Sequence, residues 1–260
     1  MPLTYGDYLK LDQILSAQEP RSEGPEHDEM LFIIIHQVYE LWFKEVLHEL
    51  DYLQERFRGN DTARVLHTFR RVLTILKTMV AQIDILETMT PLEFLSFRDR
   101  LESASGFQSF QFRELEFVLG LKRRSIMVHY PEDSDARSRL ERRYRQPTLW
   151  DSFLHYLAGN GHDIPPDLLT RDVTQLIQPS PEVQQVLIKV YRHHPILNRV
   201  CERLVDFDEG FQEWRYRHVK MVERTIGTKQ GTGGSAGVQY LQTTLFNAVF
   251  PDLWAIRSEL

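Results

Sequence analysis

Residues 27–57, HDEMLFIIIHQVYELWFKEVLHELDYLQERF, decide the fold class. The stretch holds no Gly or Pro, so nothing in it breaks a helix. Leu31, Ile34, Ile35, Val38, Leu41 and Trp42 recur at spacings of three and four, the period of an amphipathic helix. The same period returns in 61–89 through Val65, Leu66, Phe69, Val72, Leu73, Leu76 and Val80. Thr90-Pro91-Leu92-Glu93 then combines an N-cap, a first-turn proline and a capping-box acid, which predicts a short helix over about 91–101. Gly106 interrupts before a further helix over about 109–119. Residues 122–147 are polar and weakly patterned. Thr148-Leu149-Trp150-Asp151 starts a helix that Gly159 and Gly161 close, and 160–181 reads as a proline-rich irregular connection. Ser180-Pro181-Glu182 opens the next helix. A long apolar-periodic stretch follows His194-Pro195 to about Ile226, then a glycine-rich loop from Gly227 to Gly237, then a last helix over about 238–250. Strands alternating with helices are nowhere indicated. The expectation is an all-α chain, residues 1–260 forming one domain, a helical bundle with long antiparallel helices.

Composition narrows the function classes. A length of 260 residues supports a sizeable core, and 42% hydrophobic with 26% charged residues is ordinary for a soluble globular protein. A net charge of −6 offers no general cationic field for nucleic acid or anionic membrane. The basic run 137–145, RSRLERRYR, reads as a solvated helix face. The single cysteine, Cys201, excludes an intrachain disulfide, cysteine-rich zinc sites, iron–sulfur clusters and the C-x-x-C-H attachment of c-type haem. The N-terminus, MPLTYGDYLK, lacks a signal-peptide core, and no apolar run is long enough to span a bilayer. A cytoplasmic protein, binding neither membrane nor nucleic acid, is expected.

Several residues are placed where chemistry is possible. Phe32 and His36 stand four apart on the first long helix, and Phe43 extends their face. His36 suits either a ligand contact or a core histidine bonded to a carbonyl. His218 lies in the stripe Phe207, Phe211, Trp214, His218, Met221. A neutral imidazole there suits the proximal position of a pentacoordinate haem iron, or an ordinary core role. Arg98 follows Phe94 by four and needs an anion, either a ligand carboxylate or Glu102 one turn on. The loop Gly231-Thr232-Gly233-Gly234-Ser235-Ala236-Gly237 fits neither a dinucleotide fingerprint nor a Walker loop, since no strand precedes it and no Gly-Lys-Ser/Thr ends it. It is either a connector or a loop that orders over a polar head group. Glu45-Val46-Leu47-His48 has the spacing of a di-iron ligand pair but lacks the second copy such a centre requires, and His27-Asp28-Glu29 only imitates a facial triad.

Four segments in combination resemble the tryptophan 2,3-dioxygenase family: LTYGDYLKLDQIL (3–15), HDEMLFIIIHQVYELWFKE (27–45), LEFLSFRDRLESASGFQSFQFRELEF (92–117) and FQEWRYRHVKMVERTIGTKQGTGGSAGVQYL (211–241). The resemblance implies a bundle enclosing one b-type haem per subunit, ligated by His218, with Ser105 and Gly106 lining the pocket. It implies that His36 is the distal histidine hydrogen-bonding the indole N–H, that Phe32 packs on the ring, and that Arg98 and Thr232 hold the amino-acid end. Phe94, and likewise Phe112, stands where some members carry tyrosine and brings no hydroxyl. Tyr5, Tyr8 and Leu9, within an N-terminal segment 1–24, match residues that complete a neighbouring subunit's site, so a homotetramer is implied. The implied reaction inserts both atoms of O2 across the indole C2–C3 bond of L-tryptophan and yields N-formylkynurenine, the first step of tryptophan catabolism through kynurenine. The alternatives are a related haem enzyme acting on another indole or aromatic amino acid, and a haem-binding sensor without turnover.

Overall fold

Two helices of 32 residues, α3 (His27–Arg58) and α11 (Pro195–Ile226), and one of 25, α4 (Thr62–Leu86), form the centre of the molecule. The computed structural model describes residues 2–24, 26–232 and 237–260. Only three residues join α3 to α4, which forces the two to run antiparallel. Their register is visible in the pairs Phe57–Phe69, Glu49–Arg71 and Tyr39–Met79. Gly210 meets Leu76 and Arg217 meets Asp84, so α11 runs parallel to α4. The antiparallel pairing expected of the long helices is that of α3 with α4; about a hundred residues separate α4 from α11, and so long a connection imposes no reversal.

Shorter helices close the bundle. α5 (Pro91–Arg98), α6 (Phe110–Val118), α8 (Leu149–Gly159) and α10 (Pro181–His193) begin where polar caps predict. Thr90 with Glu93, and Thr148 with Asp151, form reciprocal capping boxes, each satisfying two otherwise orphaned donors. One apolar core runs from Ile35 to Ile256, and Leu50, Leu53, Val65, Phe69 and Val72 within it are fully excluded from solvent. No strand occurs among the described residues.

Three expectations change. Residues 238–250 are not one helix: α12 spans only Val238–Gln242. The Thr243 and Thr244 hydroxyls bond back to the Tyr240 and Leu241 carbonyls, Phe246 turns left-handed at φ 61°, and Asp208 takes the Val249 and Phe250 amides. The basic run forms α7 (Asp135–Tyr144), yet it is not simply solvated, because Arg139 and Arg143 pair with the buried Glu114. On α3, Ile34 and Leu41 are 42% and 55% exposed rather than core-facing. No helix of the described residues is long and apolar enough to cross a membrane.

Candidate functional site

A cavity of about 260 Å³, or about 1690 Å³ with the space open to solvent counted, lies between α3, α5, α6 and α11. Its lining includes Phe32, His36, Phe94, Arg98, Ser105, Gly106, His218 and Thr232, residues far apart in sequence. Tyr5, Tyr8 and Leu9 do not line it. They lie on α1 (Tyr5–Leu9), with Tyr5 and Tyr8 at 75% and 72% exposure. Gly233, Gly234, Ser235 and Ala236 of the glycine-rich loop lie outside the described residues.

On α3, the helical spacing of four brings the Phe32 and His36 rings to 4.2 Å between centroids. Phe94 and Phe97 of α5 pack on Phe32 from the other side, at 5.6 and 5.5 Å. His36 Nδ1 sits 2.7 Å from the Phe32 carbonyl. A carbonyl only accepts, so Nδ1 carries the proton, and Nε2 is a free acceptor with no partner among the described residues. His36 therefore bonds a carbonyl and also faces the cavity. Burial pushes its pKa below the usual histidine value, against the opposing pull of the Phe32 carbonyl and Glu40.

His218 occupies the facing wall on α11. Its ring stacks on Trp214 at 5.3 Å and 5° between planes. Burial first, and then the repulsion a charged His218 would meet from His36 and Arg113, push its pKa down to about 4, so it is neutral at ordinary pH. Neither ring nitrogen of His218 has a hydrogen-bond partner among the described residues. A neutral imidazole with a vacant lone pair in an apolar cavity has the chemistry to ligate a metal. No set of three His, Cys, Asp or Glu side chains able to hold an ion occurs among the described residues. The residues present fit a haem.

Arg98 ends α5, where its Nη2 donates to the Gln230 carbonyl at 2.5 Å, not to Glu102. Thr232 donates to the Ala104 carbonyl at 2.6 Å. The loop between α11 and α12 is thereby tied to both the guanidinium and the Ser105–Gly106 turn, which converges them on one rim. Ser105 caps that turn by accepting the Phe107 amide.

A family model described as tryptophan 2,3-dioxygenase matches residues 1–157 and 167–260. The chain belongs to the tryptophan 2,3-dioxygenase family. It is 64% identical over 258 residues to the tryptophan 2,3-dioxygenase of Herpetosiphon aurantiacus, covering 99% of this chain and 98% of the relative. Identity is 58% over 258 residues to that of Anaeromyxobacter sp. strain K, covering 99% and 96%. It is 45% over 260 residues to that of Myxococcus xanthus, covering 99% and 89%. Within this family member, sequence reading missed Arg113, Glu116 and Arg215, which also line the cavity. Charged residues interrupting the apolar runs FQFRELEF and FQEWRYRH were the available signal.

Proposed function

We propose that this chain is a haem-dependent dioxygenase that inserts both atoms of O2 across the indole C2–C3 bond of L-tryptophan to give N-formylkynurenine. The observation carrying the reading is that one cavity, in a member of this family, collects two neutral imidazoles from facing helices, a phenyl ring and a guanidinium. His218 would hold a b-type haem, with Ser105 and Gly106 at its border. Bound there, the haem supplies the binding and activation of dioxygen.

The remaining work falls to the chain's own side chains. Arg98 offers its fork to the substrate carboxylate, exchanging the neutral Gln230 carbonyl for a charged partner. Thr232 contributes its hydroxyl at the same end, and Phe94 lines that end without a hydroxyl. Phe32 packs against the indole, and His36 Nε2 accepts the indole N–H. Fixing both ends of the substrate sets the ring carbons toward the oxidant, a proximity effect. Since dioxygen is the electrophile, the chemistry makes no demand for a strong base, and His36 serves first to position the ring. A main core drawn from Ile35 to Ile256, with one smaller cluster around Phe117, Ile126 and Leu140, supports residues 1–260 acting as one domain. The exposed Tyr5 and Tyr8, with Met30, Ile34 and Leu41 on one face of α3, support burial against further copies, as a homotetramer whose 1–24 segments complete neighbouring sites through Tyr5, Tyr8 and Leu9. One buried cysteine suits a reducing cytoplasm.

The test is an absorbance spectrum of the purified, reduced protein before and after L-tryptophan is added in air. A Soret band followed by product absorbance is expected. A Soret band without product would leave a haem-binding protein, and no Soret band would end the reading.

A further inference from the structure

One wall of the cavity gathers three guanidiniums around a single ion-paired carboxylate. Arg113 and Glu116 stand one turn apart on α6, and Arg215 stands one turn before His218 on α11. Their side chains are 6%, 3% and 6% exposed. Glu116 is shared three ways. Arg113 Nη1 donates to it at 2.7 Å, Arg123 Nη2 at 3.1 Å and Arg215 Nη2 at 3.4 Å. No other carboxylate forms an ion pair with these three guanidiniums among the described residues. Asp208 and Glu40 act on this wall only through space, since their hydrogen bonds go to other groups. Asp208 accepts from the Val249 and Phe250 amides, Trp254 and Gln212, and Glu40 accepts from Gln111.

The donors are also underused. Arg113 Nε is buried without a partner, and the second bond of Arg215, to the Thr244 carbonyl, is long at 3.3 Å. The guanidinium faces lie over the Phe107 and Phe211 rings, at 4.7 and 4.4 Å, so only their edges remain for an anion. Burial, with Arg123 and Arg113 nearby, lowers the proton affinity of Arg215. A guanidinium does not escape such crowding by losing its proton, so an added anion is the available relief.

We infer that Arg113 and Arg215 form the seat for the carboxylate side chains of the cofactor, the two propionates of a b-type haem. The inference rests on the haem reading above. It adds an orientation: with Arg215 one turn from the iron ligand on the same helix, the carboxylate-bearing edge of the macrocycle turns toward α6 and α12, and its apolar edge toward Ile83, Leu86 and Met89.

The test compares the full-length protein reconstituted with haem and with haem dimethyl ester, whose carboxylates are blocked. Transfer of each to an excess of a haem-scavenging apoglobin gives the dissociation rate. The ester is expected to leave about 10- to 100-fold faster, the factor one charge-assisted hydrogen bond carries. Arg215→Gln and Arg113→Gln are each expected to narrow that gap, and Arg215→Lys to restore part of it. The comparison on the unaltered protein stands even where a variant fails to fold. Equal dissociation of both forms, with imidazole ligation intact in the spectrum, overturns the seat and leaves the haem reading standing. So does a gap that neither glutamine variant changes. Failure of both forms to bind overturns both.

Discussion

Arg98 and His36 show how a single residue's surroundings set its task. Arg98 is anchored by a carbonyl, a neutral acceptor that a carboxylate outcompetes. Arg98→Ala is therefore expected to raise KM for L-tryptophan about 10- to 100-fold, the worth of one charged hydrogen bond, while the haem spectrum stays as it was. Tryptamine, which lacks the carboxylate, should respond far less, and an equal loss for both would remove Arg98 from the grip. His36 carries a pH signature. Its pKa lies below 6.5 because burial disfavours the charged ring, so at pH 7 Nε2 accepts. As pH falls through that lowered value the ring gains a proton and the acceptor is lost. The acid limb of kcat/KM is thus expected below pH 6.5, and it should vanish from the weaker profile of His36→Ala. An unchanged limb in that variant would assign the titration elsewhere. Sequence alone placed Phe32 beside His36 through the four-residue spacing. It left open the partner of Arg98, because Gln230 lies 132 positions away and backbone carbonyls leave no trace in composition.

At the scale of elements, legibility followed local chemistry. α10 and α11 begin at Pro181 and Pro195, and α11 ends at Ile226, as the proline and glycine signals indicate. Where boundaries depend on distant partners the reading failed, as at residues 243–250, where the Val249 and Phe250 amides are captured by Asp208 on another helix. α6 illustrates a stop that is both local and tertiary. Gly120 takes φ 92°, its amide bonds the Phe117 carbonyl and the Leu121 amide bonds the Glu116 carbonyl, the paired bonds of a Schellman cap. A Cβ at Gly120 would stand 2.3 Å from Ile177 Cδ1. Gly120→Ala therefore combines a left-handed backbone with a clash, at about 1–3 kcal/mol. A lower thermal midpoint is expected, with a looser cavity wall, since α6 carries Arg113 and Glu116. A midpoint equal to that of the parent would show that the cap yields freely.

For the whole molecule, the question is whether a second chain completes each site. Tyr5 and Tyr8 are largely exposed and do not line the cavity of their own chain. Gln37 donates to the Ala17 carbonyl, and Glu29 accepts the Arg21 and Ser22 amides, so residues 17–22 are held along α3. The arm ahead of this clamp carries Leu3, Tyr5, Tyr8 and Leu15 at 72–75% exposure, apolar surface that a neighbour would bury. If the arm acts in trans, two different defects complement each other. Subunits with Arg98→Ala have spoiled pockets and sound arms; subunits with Tyr5→Ala and Tyr8→Ala have sound pockets and spoiled arms. Each preparation alone is expected to be weak. Dissociated, mixed and reassembled, they create sites in which a sound pocket meets a sound arm, so activity should rise above the average of the two. Activity that stays at that average, with mixed assemblies confirmed by mass, would place the arm in cis or outside the site. The same experiment reads the assembly: Leu41→Glu, which puts a charge on the exposed face of α3, should lower the sedimentation coefficient and abolish complementation together.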